Sequence, residues 1–303
     1  MKILFIGIGS IGCRHAELLL RAGHGLYSFQ HIPHKQHLRK KMDTLQTWEE
    51  IEKIHPDVAF ICSPTNTHIE YAMQCARRGM HLFIEKPIDI TADKLPQLLE
   101  IVENHGLTAQ VGYVLEFHPV VQKLKEQVAG RRILEARFIC ATQLKDWRIK
   151  SFLKNWYSYQ AKTGGGAIWE LSHEFYMAES FCSRIIDITG NLHRISDQTL
   201  DCEDYATLCL NHWQGGTSYI HLNMAAKKTF RRIELSLNDG DYLWGHLNSQ
   251  NDLDLAYETQ MQRFLNALGK QPPINSLRKC SPLFEQLVEF KKHNRWRLEI
   301  CER

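Results

Sequence analysis

The sequence predicts an α/β domain built on a doubly wound parallel sheet, followed by an α+β domain with a large, mostly antiparallel open sheet. Three observations carry this. Short, wholly apolar runs alternate with amphipathic helical stretches over residues 1–114, the pattern of strands buried on both faces by helices. A glycine-rich turn joins the first run to the first helix. Beyond residue 114 the runs lengthen and partly alternate polar with apolar residues, as in strands with one face on a core and the other in water. The domains are therefore placed at 1–114 and 115–303.

Taken in order, Lys2–Gly7 reads as the first strand and Ser10–Ala22 as the first helix, stopped at Gly23. Gly25–Gln30 is a second strand and Val58–Cys62 a third, followed by a helix over Asn66–Arg78 that stops at Gly79. His81–Glu85 is a fourth strand, then comes a helix over Ala92–Asn104, and Leu107–Val111 is a fifth strand. In the second part a helix over Val120–Ala129 precedes the runs RILEARFICATQL, DYATLCLNHW, TSYIHLNMAA, RRIELSL and DYLWGHL. Turn residues Gln214-Gly215-Gly216 and Asn238-Asp239-Gly240 separate some of them, as hairpins require. Further helices are expected over Ile168–Phe181, Ala256–Leu268 and Pro282–His293. There is no repeat and no long linker, so the domain junction is tight.

Composition narrows the function classes. The 303 residues suffice for two cores. With 37 Lys+Arg against 34 Asp+Glu, the net charge of +3 gives no argument for nucleic-acid or membrane partners. No apolar run approaches the ~20 residues of a membrane span. The glycine-rich start does not read as a signal peptide, and a cytoplasmic protein is expected. The nine cysteines include no C-x-x-C pair, so they read as reduced, buried thiols. None of the sixteen histidines stands in an H-E-x-x-H motif, and no metal site is expected.

Gly7-Ile8-Gly9-Ser10-Ile11-Gly12 is G-x-G-x-x-G, placed directly after a strand and opening a helix. In that context Gly7 permits a tight turn, Gly9 admits a pyrophosphate to the backbone, and Gly12 lets helix and strand pack closely. A bare glycine turn and a methyltransferase loop are the competing readings. NAD sites usually place an acid at the end of the second strand. Here Phe29-Gln30-His31-Ile32-Pro33-His34-Lys35 offers none until Asp43. The basic residues His31, His34, Lys35 and Arg39 would suit a 2′-phosphate, which leans the cofactor toward NADP over NAD; a solvated basic loop is the alternative.

The fourth strand ends in Glu85-Lys86-Pro87. Ligands of a doubly wound sheet bind beyond the carboxyl ends of its strands, so Lys86 sits where a cation could meet a substrate oxygen. By position alone a surface ion pair fits equally well.

These features together resemble the Gfo/Idh/MocA oxidoreductases, the group of glucose-fructose oxidoreductase and inositol dehydrogenase. The resemblance rests on the glycine turn, SPTNTHIEYA at 63–72, EKP at 85–87, VGYVLEFHP at 111–119, GGGAIWELSHEFYM at 164–177 and EDYATLCLNHWQGG at 203–216. It spans nearly the whole chain. It implies a Rossmann domain binding NAD or NADP and a second domain whose open sheet covers the active site and forms subunit contacts, giving a homodimer or homotetramer. It implies Lys86 and His173 as catalytic, with Glu170 in the place of the usual aspartate, three residues before the histidine rather than four. On one continuous helix both spacings share a face. The dinucleotide would be lined by Gly7, Gly9, Ser10, Ile11 and Gly12, by Gln30 and His31, and by Ser63, Pro64, Thr65, His68, Glu85 and Lys86. Tyr113, Trp147, Arg148 and Tyr157 would line the substrate pocket, where Arg148 could bind a carboxylate or phosphate.

The implied activity is hydride transfer between the nicotinamide and a carbinol or carbonyl carbon of a sugar, nucleotide-sugar or related polyol. The form of GIGSIGCRH and LSHE resembles a bacterial surface-sugar biosynthesis subgroup. The chain departs from the sugar-processing pattern at Val114, Glu116 and Tyr176. That motivates the alternative of a non-catalytic dinucleotide-binding sensor or scaffold.

Overall fold

In a computed structural model, which describes residues 1–143, 157–196, 200–294 and 297–298, the strands β1 (Lys2–Ile6), β2 (Gly25–Phe29), β3 (Met42–Leu45), β4 (Val58–Ile61), β5 (His81–Ile84) and β6 (Ala109–Val111) form one sheet. Its order is β3-β2-β1-β4-β5-β6 and every pairing is parallel. The order reverses between β1 and β4, the position at which such sheets bind ligands. The intervening helices are α1 (Ser10–Arg21), α2 (Gln36–Arg39), α3 (Trp48–Ile54), α4 (His68–Ala76) and α5 (Leu95–Asn104). Strand β3 has no clear signature in the sequence, because Met42-Asp43-Thr44-Leu45 lies at the sheet edge and keeps two of its four residues partly in water. It therefore lacks the continuous apolar signature of the central strands.

The core of this unit follows from register. Phe5, Phe60 and Phe83 stand opposite one another on β1, β4 and β5. They stack at 5.2 and 4.7 Å between ring centroids. Phe264 closes the stack edge-on, at 5.8 Å from Phe60 and 5.3 Å from Phe83, a geometry aromatic rings favour.

The second sheet comprises β7 (Ile133–Gln143), β8 (Ile185–Arg194), β9 (Tyr205–His212), β10 (Thr217–Asn223), β11 (Ala225–Leu237), β12 (Tyr242–His246) and β13 (Arg297–Leu298), in the order β12-β11-β7-β10-β9-β8-β13. It is mostly antiparallel; β7–β10 and β8–β13 are parallel. Strand β8 was not foreseen. It is largely exposed and contains Gly190, so it carries little apolar patterning. The helices are α6 (Pro119–Val128), α7 (Ala167–Glu170), α8 (His173–Cys182), α9 (Gln250–Ala267) and α10 (Leu277–His293).

Two corrections concern boundaries. The chain divides into one unit of Met1–Gly112 with Tyr257–Phe284 and a second of Tyr113–Ala256 with Glu285–Arg303. The segment 257–284, which sequence reasoning left in the second domain, therefore groups with the first, where Met261 and Phe264 complete the core. The single helix expected over Ile168–Phe181 is two helices, α7 and α8, separated at Leu171 and Ser172.

Burial sets a pH dependence. The imidazoles of His24, His81, His118, His212 and His221 are all pushed below their ordinary range by burial. Their folded pKa values lie below the unfolded value of about 6.5. The unfolded chain thus binds more protons as pH falls through that value, and stability is lost on the acid side. The thermal midpoint should be lower at about pH 5.5 than at about pH 7.5; an equal or higher midpoint at the acid pH would contradict this account.

Candidate active site

The functional side chains fall in both units. In the first, the turn between β1 and α1 is built on glycine for steric reasons. Gly7 has φ +89°, and a Cβ there would stand 2.5 Å from the Cys62 carbonyl oxygen; a Cβ on Gly12 would stand 2.5 Å from the Gly7 carbonyl oxygen. Gly9, the N-cap of α1, has open space where its Cβ would point. No side chain caps this helix end, so its first backbone N–H groups can serve an external anion. The turn therefore fits the pyrophosphate of a dinucleotide.

Next to it, Ser63 and Thr67 bond through their hydroxyls at 2.8 Å, and Thr67 donates to the Pro64 carbonyl. Thr65 is buried. The ring nitrogens of buried His68 lie 2.9 Å from the carbonyl oxygens of Ser63 and Pro87. His68 thus joins the β4 loop to the Glu85-Lys86-Pro87 segment. Asp89 accepts from the Ile69 N–H at the start of α4, and burial pushes its carboxyl up against the opposing pull of backbone donors.

Lys86 follows the end of β5 and is half-buried, with a cis peptide bond to Pro87. Its neighbour Glu85 is buried. One carboxylate oxygen accepts from His15 Nε2 at 2.7 Å and the other from the Lys86 backbone N–H at 3.2 Å. This carboxylate is thus turned to His15 and the Lys86 amide.

The loop after β2 differs in its electrostatics from what sequence suggests. Gln30 has φ +59° and is exposed, and His31 is exposed as well. Lys35 donates to both carboxylate oxygens of Glu17 at 2.8 and 2.9 Å, and His37 stands 2.9 Å from the same group. These cations hold the Glu17 carboxyl below its ordinary range, against a raising effect of burial that is the largest single influence. Arg39 donates to the Pro33 carbonyl at 2.6 Å, and His34 contacts the Cys13 thiol at 3.5 Å. The fold thus brings a carboxylate from α1 to a loop that had none in sequence.

In the second unit, Tyr113 and Tyr176 are buried and stack at 4.5 Å with 12° between planes, and Tyr113 meets the His173 ring edge-on at 5.8 Å. His173 opens α8 and is 8% exposed. Glu170 stands on the separate helix α7 and accepts from the Ser158 hydroxyl. The shared helical face that sequence predicted for Glu170 and His173 is therefore absent, because the chain turns at Leu171–Ser172 between them. The residue after His173, Glu174, is fully buried and pairs with Arg231 at 2.7 Å, which ties α8 to β11.

Glu116 is turned to other side chains. It is buried, forms an ion pair with Lys125 and accepts from Ser180 at 3.0 Å. It joins α6 to α8. Trp147 and Arg148 lie outside the described residues; Tyr157 begins a short 3-10 turn, Tyr157–Tyr159. Among the described residues no group of three or more His, Cys, Asp and Glu side chains could hold a metal, and no helix is long and apolar enough to cross a membrane.

The triple glycine has a local cause that sequence did not reveal. A Cβ on Gly165 would stand 2.5 Å from the Ser158 carbonyl oxygen, and one on Gly166 (φ +109°) 2.6 Å from a Glu203 carboxylate oxygen. Buried Glu203 accepts from the Ile168 N–H at 3.2 Å and from Lys291 at 2.8 and 3.0 Å. The residues missed by sequence reasoning are thus His15, Glu17, Glu203 and Lys291. His15 and Glu17 carried a signal, since both lie on the helix that the glycine turn opens.

Comparison with known proteins places the chain in a family. Residues 1–113 match the model of an oxidoreductase family with an NAD-binding Rossmann fold, and residues 121–242 match a GFO/IDH/MocA C-terminal domain. The chain is 29% identical over 140 residues to a myo-inositol 2-dehydrogenase of Thermotoga maritima, covering 44% of this chain and 42% of that protein. It is 31% identical over 135 residues to the uncharacterized oxidoreductase YrbE of Bacillus subtilis, covering 42% and 40%. The matches thus span less than half the length of these relatives. The fold is similar to that of GenD2 from gentamicin A biosynthesis, solved with NAD (TM-score 0.82, 16% identity, 95% of this chain and 92% of that one). It is also similar to the WlbA dehydrogenase of Bordetella pertussis, solved with NADH and UDP-GlcNAcA (TM-score 0.77, 14% identity, 96% of each).

Proposed function

Because the chain belongs to the Gfo/Idh/MocA oxidoreductases, we propose that it transfers a hydride between a nicotinamide dinucleotide and a carbinol or carbonyl carbon of a sugar, nucleotide-sugar or related polyol. The observation that carries this reading is Lys86, half-buried just past the end of β5, with Glu85 held by His15 and Pro87 held by His68. When bound, the dinucleotide supplies the hydride acceptor or donor. The chain's own residues do the rest. The N–H groups at the start of α1 bind the pyrophosphate. The Lys86 ammonium polarises the substrate oxygen, and His173 takes or returns the hydroxyl proton. Glu170 orders the segment before His173 through its bond to Ser158. Tyr113 packs edge-on against the His173 ring.

The cofactor we propose is NAD(H). The Glu17 carboxylate engages Lys35 and His37 and so offsets part of the positive charge that the loop after β2 would offer a 2′-phosphate. This reverses the lean toward NADP drawn from the sequence. Fluorescence titration of the purified protein should give tighter binding of NADH than of NADPH. Tighter NADPH would return the choice to the basic loop, and binding of neither would sink the oxidoreductase reading. By light scattering the same protein should have the mass of a dimer or tetramer, since Tyr219, Tyr242 and Trp244 stand exposed on the second sheet. A cytoplasmic location belongs to the same proposal.

Substrate is sought with the chemistry of the relatives: myo-inositol and UDP-N-acetylglucosaminuronic acid with NAD, followed as NADH absorbance. The non-catalytic alternative loses its main support. Glu116 and Tyr176 have structural partners in Lys125, Ser180 and Tyr113, which accounts for these residues by packing and pairing without requiring a loss of activity.

A further inference from the structure

We infer that His15 is a positioning residue for Lys86, acting through the Glu85 carboxylate; this rests on the reading of Lys86 as the group that meets the substrate oxygen. His15 lies on α1, three residues past Gly12, and is fully buried. Its ring sits among Phe60, Phe83 and Tyr257, with centroids at 5.6, 5.0 and 5.7 Å. For packing alone a phenylalanine would serve this aromatic cage better, because a buried imidazole loses its hydration. The Nδ1 atom meets no hydrogen-bond partner among the described residues, and the polar contact the ring makes is the 2.7 Å bond from Nε2 to Glu85.

Glu85 passes this on. Its other oxygen accepts from the Lys86 backbone N–H, so one carboxylate ties α1 to the residue that carries the amine. The seat is made for it: a Cβ on Gly112 would stand 3.0 Å from the Glu85 carboxylate atoms. The carboxylate's charge reaches the surrounding groups, since Glu85 adds to the burial that pushes the Cys62 thiol well up. On the far side of Lys86, His68 holds the Pro87 carbonyl. Lys86 is thus flanked by two residues that are each anchored by a histidine, His15 from the helix opened by the glycine turn and His68 from the helix after β4. Without His15 the Glu85 carboxylate would lose its charge-assisted partner in a buried site. It would reorient toward water and take the Lys86 amide with it.

The test needs no known substrate. Competitive acetic anhydride labelling, read by peptide mass spectrometry, gives the reactivity of Lys86 relative to exposed Lys270. His15→Phe fills the cage without the bond. It should raise Lys86 labelling by about fivefold or more, as a loosened segment does. His15→Gln keeps an N–H near the Nε2 position and should stay within about twofold of the parent. A merely structural role would lower the thermal midpoint in both variants and leave Lys86 reactivity unchanged; that result in a folded His15→Phe overturns the inference. If His15→Phe fails to fold, Glu85→Met cuts the same link from the other end, and unchanged Lys86 reactivity there overturns the inference equally. With a substrate in hand, His15→Phe should lower kcat by about 100-fold with little change in KM. Retained turnover in Lys86→Met would remove the reading of Lys86 itself, whereas unchanged Lys86 reactivity in His15→Phe removes only the role of His15.

Discussion

Replacing Lys86 by methionine should lower kcat by about 10²- to 10⁴-fold, the usual contribution of a positioned acid–base or polarising group, while NADH binding stays within a few-fold. Methionine preserves the unbranched aliphatic stem and removes only the cation, so the change isolates charge from packing. The parallel change, His173→Asn, should lower kcat to a similar extent by removing the proton acceptor. The two effects should not add fully, because residues that act on one transition state work as a unit. The measurement is steady-state turnover with whichever compound the substrate panel identifies, beside an NADH titration of each variant. Lys86→Met turning over at more than about a tenth of the parent rate would fall outside the range expected for such a group and remove Lys86 from the reaction. A variant that has lost NADH binding as well would point to a structural role for the Glu85-Lys86-Pro87 segment instead.

What the sequence revealed follows from where each residue sits. The central strands β1, β4 and β5 were legible because they are covered on both faces, so every buried position is apolar; Phe5, Phe60 and Phe83 come from three such runs. Edge and solvent-facing strands do not have that constraint, which is why β3 and β8 escaped notice. The glycine turn was legible from its spacing directly after a strand, although the backbone that Gly7 must avoid, at Cys62 and Ser63, lies beyond β4. The break before His173 was not. Apolar residues continue through Ile168, Trp169, Leu171 and Phe175, and a helical pattern carries no mark of a two-residue interruption. The electrostatics were least legible. His15 and Glu85 are separated by 70 positions and Lys291 and Glu203 by 88, and only the fold sets such pairs side by side. The same holds for Glu17, whose 18-residue separation from Lys35 concealed the carboxylate that engages the loop after β2.

The largest stability effect should come from Lys291→Met. Glu203 is 2% exposed and Lys291 18% in their side chains, so the pair is shielded from water. Removing one member of a buried pair leaves an uncompensated charge, which costs about 3–5 kcal/mol. Glu203 would then keep the Ile168 N–H as a donor, too little to hold a carboxylate under Gly166. Lys291 also lies 5.2 Å from the Trp169 ring centroid, and methionine would keep a contact there but lose the cation. The urea midpoint of Lys291→Met should therefore fall well below that of the parent. Glu203→Gln combined with Lys291→Met should recover a large part of the loss, because a neutral amide demands less than a stranded carboxylate. A double variant as unstable as the sum of the single changes would mean that the two side chains act independently and that the ion pair is incidental. The consequence for activity follows from continuity of the chain. Glu203 holds Gly166, Ala167 and Ile168, and five residues beyond Ile168 comes His173. Loosening this anchor should shift the imidazole and lower kcat, whereas Lys86 labelling in the same protein should stay at the parent level. Equal disturbance of Lys86 would show that Lys291 supports the fold at large and not the segment that carries the histidine.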